Sequence, residues 1–427
     1  MASVKCREII KVKTITVLFI LFLSLVSSAQ QHRSGYIYTE IANKIAVMPG
    51  DSGNHFVQVD SSDLKTWGRS LLDLLSGNIS QAALRADSIA YNLIDFTDTF
   101  DIPNRQYYIL ETADSNYWGS YVFNPNYCRS LVIQSPHAIR DINTGLQGLH
   151  VFQKTEAMFF MVNGTHRCNS STFSSCSGTT SSCSGGAGSE PYRISDLAHN
   201  TMSLFQKTTE VLLNTFSHTY FIQLHGFSKQ SSDPYVILSN GTDKSPTLDF
   251  MPILKNELLL QDPVLTFKIA HIDTSWTRLR GFWNTQGRLI NGETDPCMQN
   301  ATRSNGRFFH IEQERIRLRD DVNAWNKMAN ALQNTFNCSP ALLRSNAKKE
   351  MPVIYPNPTR DFLVIQFEEQ REDMVYFEIF DVNGFIVKSV MINQKSAKID
   401  VSALDPSLYF YSVKSNSSLF RGKFVIQ

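Results

Sequence analysis

The sequence predicts an α/β domain, a central sheet flanked by helices, followed by a small C-terminal β-sandwich. Two observations predict the first part. Apolar runs of strand length occur at 129–134, 157–162, 219–224 and 308–314, and helical patterns such as 197–216 and 320–336 lie between them. Short buried strands interleaved with helices are the pattern of a sheet covered by helices. One observation predicts the second part. From residue 362 onward, short alternating strands follow one another with turn signals between them, which is the spacing of a small sandwich.

The first element is a targeting segment. Lys5, Arg7, Lys11 and Lys13 precede an almost wholly apolar run over 14–26, and Ser27-Ser28-Ala29 supplies small residues before a cut near Gln30. The run is short for a membrane span, which needs about 20 apolar residues. We therefore expect a signal peptide over 1–29, an exported chain, and no integral span after cleavage; a retained anchor is the alternative. A chain of 427 residues with a formal charge of +1 and scattered Lys and Arg has room for two or three domains. It lacks the basic stripe a nucleic-acid partner would require.

The domain over 30–345 follows. Cleavage would remove Cys6, leaving Cys128, Cys168, Cys176, Cys183, Cys297 and Cys338. An even number in an exported chain points to disulfides, and the spacing of Cys168, Cys176 and Cys183 is too wide for a zinc ribbon. The pairing stays open. Residues 170–189 are almost entirely Ser, Thr, Gly and Cys, a loop composition that reads either as a lid or as a surface insertion. A charged linker over 346–350 leads to strands at 362–367, 375–380, 386–392, 398–401, 408–413 and 422–426, with a turn at 381–384.

Several polar residues sit where strands end. His137 follows the 131–134 strand, with Asp141 four residues on, and His225 ends the 220–224 strand before Gly226. Sites in open α/β sheets form at strand ends. Two imidazoles and a carboxylate that leave one position open make a catalytic zinc site. Glu156 is the competing carboxylate. In the fourth strand, alternation puts His310, Glu312 and Glu314 on one face, where an acid beside a metal can deprotonate water and protonate a leaving group. Arg317 is a candidate clamp for a substrate carboxylate, whereas Arg319 and Asp320 read as part of a solvated helix. Arg167 is a further clamp candidate, and His166 a donor to a developing oxyanion. Asp196 or Ser195 reads as an N-cap, and His199 as either functional or an exposed helix histidine. Asn284, Gln286 and Gly287 form a polar turn that would line the same pocket. No Gly-x-Ser-x-Gly elbow is present, which weighs against a serine nucleophile.

Two resemblances add to this reading. Tyr355-Pro356-Asn357-Pro358, the Asp381 to Gly384 turn, Ile399-Asp400-Val401 with Leu404, Leu408-Tyr409 and Gly422-Lys423-Phe424 resemble the C-terminal sorting domain of the type IX secretion system. Ser407 stands where that family usually has Gly. The resemblance implies Bacteroidetes-type export to the cell surface or medium, with the secretion machinery as partner. Ser135-Pro136-His137 through Asp141, Gly164 to Arg167, Gln223-Leu224-His225-Gly226, and His310-Ile311-Glu312-Gln313-Glu314 with Arg317 look like the N-formylglutamate amidohydrolase family. They are also similar to the related poly-γ-glutamate hydrolases. That resemblance covers roughly 125–335 and implies a phosphorylase/hydrolase-like, zinc-carboxypeptidase-like fold. It implies one zinc ion on His137, Asp141 and His225, with Glu312 or Glu314 as acid/base. Arg167 and Arg317 would be clamps; His166, read above as an oxyanion donor, is counted with them as a substrate-binding residue. Where the family usually has His-Ser, this chain has His225-Gly226, and the Cys-rich insertion is unusual for it. The expected activity is hydrolysis of an amide or peptide-like C–N bond in an extracellular, small-molecule or peptide-like substrate, glutamyl or otherwise acidic. The rival expectation is a surface binding protein that has the fold without the chemistry.

Overall fold

The computed structural model describes residues 31–100, 103–338, 352–367, 375–382, 385–414 and 419–427. The expected signal peptide, the 346–350 linker and half of the 381–384 turn lie outside the described residues.

The first strands and helices are β1 (Gln31–Gly35), α1 (Ile37–Ala46), α2 (Ser61–Leu75), α3 (Ile79–Asp87), β2 (Tyr91–Asp98), β3 (Arg105–Thr112) and β4 (Ser120–Phe123). The central part contains β5 (Arg129–Ser135), α4 (Thr144–Lys154), β6 (Ala157–Val162), the short strands β7 (Thr179–Thr180) and β8 (Glu190–Pro191), α5 (Leu204–Thr215) and β9 (Tyr220–Gly226). After it come β10 (Val236–Ser239), α6 (Met251–Gln261), β11 (Phe267–Ile269), α7 (Thr285–Ile290), β12 (Phe308–Gln313), α8 (Arg315–Leu318) and α9 (Val322–Thr335). Ten strands form one mixed sheet in the order β1-β2-β3-β4-β6-β5-β9-β12-β10-β11. Its centre, β6-β5-β9-β12, is parallel throughout.

Alternation sorts the central strands between two apolar layers. Leu131 and Ile133, Ile222 and Leu224, and Phe309 and Ile311 join one core with residues of α1, α4, α6 and α9. Val132, Phe221 and Phe308 face the other, with residues of α2, α3, α5 and α7. By the same period of two, Gln134, Gln223, His225, His310 and Glu312 lie on the α5/α7 side. That face is therefore apolar at the amino ends of the strands and polar at their carboxyl ends.

The expected helix over 197–216 is shorter. A 3₁₀ turn covers Leu197–His199, and α5 begins only after Ser203, whose hydroxyl accepts from the Gln206 N–H; that cap fixes the start. Asp321 likewise caps α9 through the Ala324 N–H. The six cysteines pair as Cys128–Cys338, Cys168–Cys183 and Cys176–Cys297. The first ties the start of β5 to the segment after α9, and the other two hold the Ser-rich loop to the domain.

The C-terminal part holds β13 (Val353–Tyr355), β14 (Phe362–Gln366), β15 (Val375–Phe380), β16 (Ile386–Ile392), β17 (Ser396–Asp400), β18 (Leu408–Lys414) and β19 (Leu419–Val425). They form two antiparallel sheets, β13-β14-β17 and β16-β15-β18-β19. Leu363, Ile365, Phe377, Ile379, Val413 and Phe424 fill a single core shared by both.

Candidate metal centre

Four parallel strands deliver the site at their carboxyl ends. Beyond β5, a turn closed by the Asp141 N–H on the His137 carbonyl (3.0 Å) sets these two side chains together. His225 ends β9, and Glu312 sits opposite it in the β9/β12 register. Arg167 follows β6. His137 Nδ1, His225 Nδ1 and Asp141 Oδ2 form a triangle with sides of 3.1, 3.2 and 3.3 Å. All three residues are buried. An ion bound tetrahedrally at about 2.0–2.1 Å needs ligand atoms about 3.3 Å apart.

The outer atoms of both rings are spoken for. His137 Nε2 meets Asp196 Oδ1 at 2.8 Å and His225 Nε2 meets Gln223 Oε1 at 2.7 Å. Both partners are acceptors, so each ring donates from Nε2 and turns a bare Nδ1 to the triangle. Arg167 Nη1 reaches His137 Nδ1 (3.3 Å) and the Gly226 N–H donates to Asp141 Oδ2 (3.2 Å); the repulsion left among three acceptor atoms crowded in a buried place favours a cation between them. Two nitrogens, one carboxylate and room for a further ligand suit a borderline ion such as zinc. A second group, His225, His310 and Glu312, shares His225, with candidate ligand atoms within 4.8 Å of one another. That spread is looser than the first triangle.

Burial and neighbouring charges set the electrostatics. Desolvation and Arg167 push His137 down, but Asp196 and Asp141 outweigh them and leave it raised. Asp141 pays a desolvation cost, yet the charge and hydrogen bonds of His137 and His225 hold it well below the carboxylate range. Arg167 and His137 depress Asp196 in the same way against its burial. Burial above all lowers His225 to about 4 and takes His310 well below its ordinary value. Glu312 goes the other way: burial, then the Asp141 carboxylate, raise it to about 8. Glu312 Oε2 and His310 Nδ1 are buried without a hydrogen-bond partner.

A cavity of about 1140 Å³ opens above these residues. Residues 179–182 of the disulfide-held loop form part of its wall, as do Arg140, Arg280 and Trp283. Arg140 and Arg280 have no carboxylate partner among the described residues; the guanidinium of Arg280 lies over the Phe282 ring. Gly281 (φ +65°) crosses the His310 ring so closely that a Cβ would sit 2.7 Å from Cγ. That imidazole also stacks on His225, 4.3 Å between centroids.

The structure brings together His137, Asp141, His225, Glu312 and Arg167. It places the other expected residues elsewhere. Glu314 reaches the cavity wall, but its carboxylate caps α8 through the N–H groups of Ile316 and Arg317. Arg317 is not in the wall; it pairs with Asp262 at 3.0 Å. His166 also lies outside the wall and accepts from the Cys168 N–H. Glu156, the rival carboxylate, bonds Arg105.

Three readings are corrected. Arg319 is buried, not solvated: it donates to the carbonyls of Gln313 (3.1 Å) and Ile142. It packs so tightly on Gly226 that a Cβ there would lie 2.1 Å from its guanidinium carbon, which accounts for glycine after His225. Asp196 makes no capping bond; one oxygen takes His137 and the other takes Arg167 from Nε (2.8 Å) and Nη2. Asn284, Gln286 and Gly287 are buried and do not line the cavity. Asp196 and Gln223, whose roles are to hold the two imidazoles, and the cavity arginines Arg140 and Arg280 are the residues that sequence reasoning missed. For Gln223 the signal was present, a polar residue two before His225 on an otherwise apolar strand.

Residues 353–427 match the family described as the secretion system C-terminal sorting domain. This is a type IX sorting domain. It directs export through the type IX secretion machinery to the cell surface or the extracellular space. Among the described residues, no helix is long and apolar enough to cross a membrane. No curated protein matches the chain.

Proposed function

We propose that the exported α/β domain is a metal-dependent hydrolase of an amide or peptide-like C–N bond in an acidic substrate. The observation that carries this is the buried triangle of His137 Nδ1, Asp141 Oδ2 and His225 Nδ1, with sides of 3.1–3.3 Å. These residues would hold one zinc ion. When bound, zinc supplies a Lewis acid that polarises a carbonyl and acidifies water. The parallel sheet centre with its site at the strand ends supports the zinc-carboxypeptidase-like architecture implied by the resemblance.

The chain's own groups supply the rest. Asp196 and Gln223 hold the two imidazoles in the orientation that faces inward. Glu312, raised to about 8, exchanges a proton near neutrality. Its unpartnered Oε2 is free to take a proton from the attacking water and pass it to the departing nitrogen. Water adds across the bond: the carbon side leaves as a carboxylic acid, the nitrogen side as an amine. Arg167 gives Nε and Nη2 to Asp196 as its counter-charge and holds Nη1 3.3 Å from His137 Nδ1, so we assign a substrate carboxylate to Arg140 and Arg280, which lie in the cavity wall with no carboxylate partner among the described residues. The cavity exceeds what a single amino acid fills, which favours an extended substrate.

Elemental analysis tests this on the exported protein and its His137→Ala and His225→Ala variants. We expect about one zinc per chain in the wild type, lost in both variants, and chelator-sensitive cleavage of γ-glutamyl or N-acyl-glutamyl amides. A folded wild type that takes up no zinc when supplied with it would overturn the proposal.

A further inference from the structure

The His225 imidazole has two tautomers, and only the one protonated on Nε2 turns a lone pair toward His137 and Asp141. What decides between them lies outside the triangle, in a buried row of amides on the α5/α7 side of the sheet. The row can be followed inward from fixed backbone groups. Thr209 donates its hydroxyl to the Phe205 carbonyl (3.0 Å) within α5, so its oxygen accepts from Gln134 Nε2 (2.9 Å). Gln134 therefore turns Oε1 to Gln223, where it accepts from Nε2 at 3.0 Å. Gln223 in turn presents Oε1 to His225 Nε2.

A second path gives the same answer. At the start of α7, Asn284 Oδ1 caps the helix by accepting from the Gly287 N–H (2.9 Å). Its Nδ2 therefore donates to Gln223 Oε1. A third path runs through Gln286, whose Nε2 donates to the Leu197 carbonyl (2.8 Å) and whose Oε1 accepts from Gln223 Nε2 (3.2 Å). Flipping the Gln223 amide would set oxygen against the Gln134 and Gln286 oxygens and nitrogen against Asn284 Nδ2. In a fully buried place each unmatched pair costs the desolvation of both groups.

We propose that Gln223 is a positioning residue: the amide row fixes its orientation from backbone groups of α5, α7 and the 3₁₀ turn, and it thereby fixes the His225 tautomer that leaves Nδ1 free for a metal. The inference rests on the metal reading for its purpose, but the tautomer is a property of the chain itself. It also accounts for a costly feature of the fold, two buried glutamines, Gln134 and Gln223, on the strands that otherwise pack Val132 and Phe221 on that face.

The test has two readouts on the full chain. The first is the ¹⁵N spectrum of the His225 imidazole in the metal-free wild type; the expected pattern is protonated Nε2 and bare Nδ1. The second is zinc affinity by competition with a chromophoric chelator. Gln223→Met removes the acceptor and is expected to weaken zinc binding by about 10–100-fold. Gln223→Glu restores an acceptor at the same place and is expected to recover part of the loss. Gln134→Met removes only one support of the orientation and is expected to give a smaller loss. A wild-type His225 protonated on Nδ1, or a folded Gln223→Met with unchanged zinc affinity, overturns the proposal. If Gln223→Met does not fold, the wild-type spectrum and Gln134→Met decide. If the wild type binds no zinc, the metal reading falls while the spectrum still decides the tautomer.

Discussion

The two ends of this chain use the same strand alternation for opposite purposes. In the C-terminal sandwich the inward positions are apolar: Leu363 and Ile365 on β14 face Phe377 and Ile379 on β15. The buried polar residues described there are Thr359 and Ser412, each bonded to a neighbour. In the large domain, β9 begins the same way with Phe221 and then buries Gln223 and His225 on that face, while β12 moves from Phe308 to His310 and Glu312. Burying such groups is unfavourable unless each is paired or titrates to its neutral form. A fold that needs only a core does what the sandwich does. The large domain spends stability at the carboxyl ends of four strands, and the unpartnered Glu312 Oε2 and His310 Nδ1 mark where that expenditure is left uncompensated by the protein itself.

The sharpest way to break this contrast is Glu312→Gln. If the polar face is there for chemistry, turnover should fall by about 10²–10⁴-fold while zinc content, measured on the same preparation, stays at the wild-type level. Loss of both together would instead make Glu312 a ligand. The metal-free protein offers a second readout. The folded-state value of Glu312, about 8, lies above its ordinary value of 4.5. The unfolded chain therefore releases its proton earlier, and the stability tied to this group is complete below pH 4.5 and is lost as pH rises toward 8. Glu312→Gln abolishes that dependence. In urea titrations the variant should gain on the wild type by roughly 2–4 kcal/mol between pH 4 and pH 9, and a difference between the two that stays the same from pH 4 to pH 9 would show that Glu312 is not held neutral.

The sandwich should respond to its own core and to nothing at the site. Phe377→Ala removes a fully buried ring and should cost about 3–5 kcal/mol. Calorimetry should show the loss in the sandwich transition alone, with zinc affinity unchanged. A shift of both transitions would mean that the two regions unfold as one unit.

The same contrast explains what was legible in the sequence. The sandwich strands and β5, β6, β9 and β12 could be read because an apolar run or a clean alternation needs no distant partner to interpret it. His137, Asp141 and His225 could be read together because strand ends of adjacent parallel strands must meet. Asp196 could not: it sits in an irregular segment and gains its role from His137 and Arg167, residues that only the fold brings near. The N-terminal strands β1 to β4 carry too many polar and aromatic residues between their apolar ones to stand out as runs. Arg317 and Arg319 show the limit most clearly. Arg317 lies in the single turn of α8 that follows β12, whose N-terminus Glu314 caps, and Arg319 is the residue that ends it; one pairs at the surface and the other is buried, a split that the spacing of two does not announce.

That difference gives the smallest expected effects and the finest test. Arg317 pairs with Asp262 at the surface, its side chain 36% exposed, so Arg317→Ala should leave the urea midpoint almost unchanged and KM for an acidic substrate where it was. Arg140 and Arg280 face the cavity without a carboxylate partner among the described residues, so Arg140→Ala and Arg280→Ala should each raise KM about tenfold, the worth of one charge-assisted hydrogen bond, with little change in kcat. The split between KM and kcat matters because a clamp that binds ground and transition states alike affects only KM. A rise in KM from Arg317→Ala, with the cavity arginines silent, would move the substrate to the α8 side of the domain and detach it from the polar strand ends altogether.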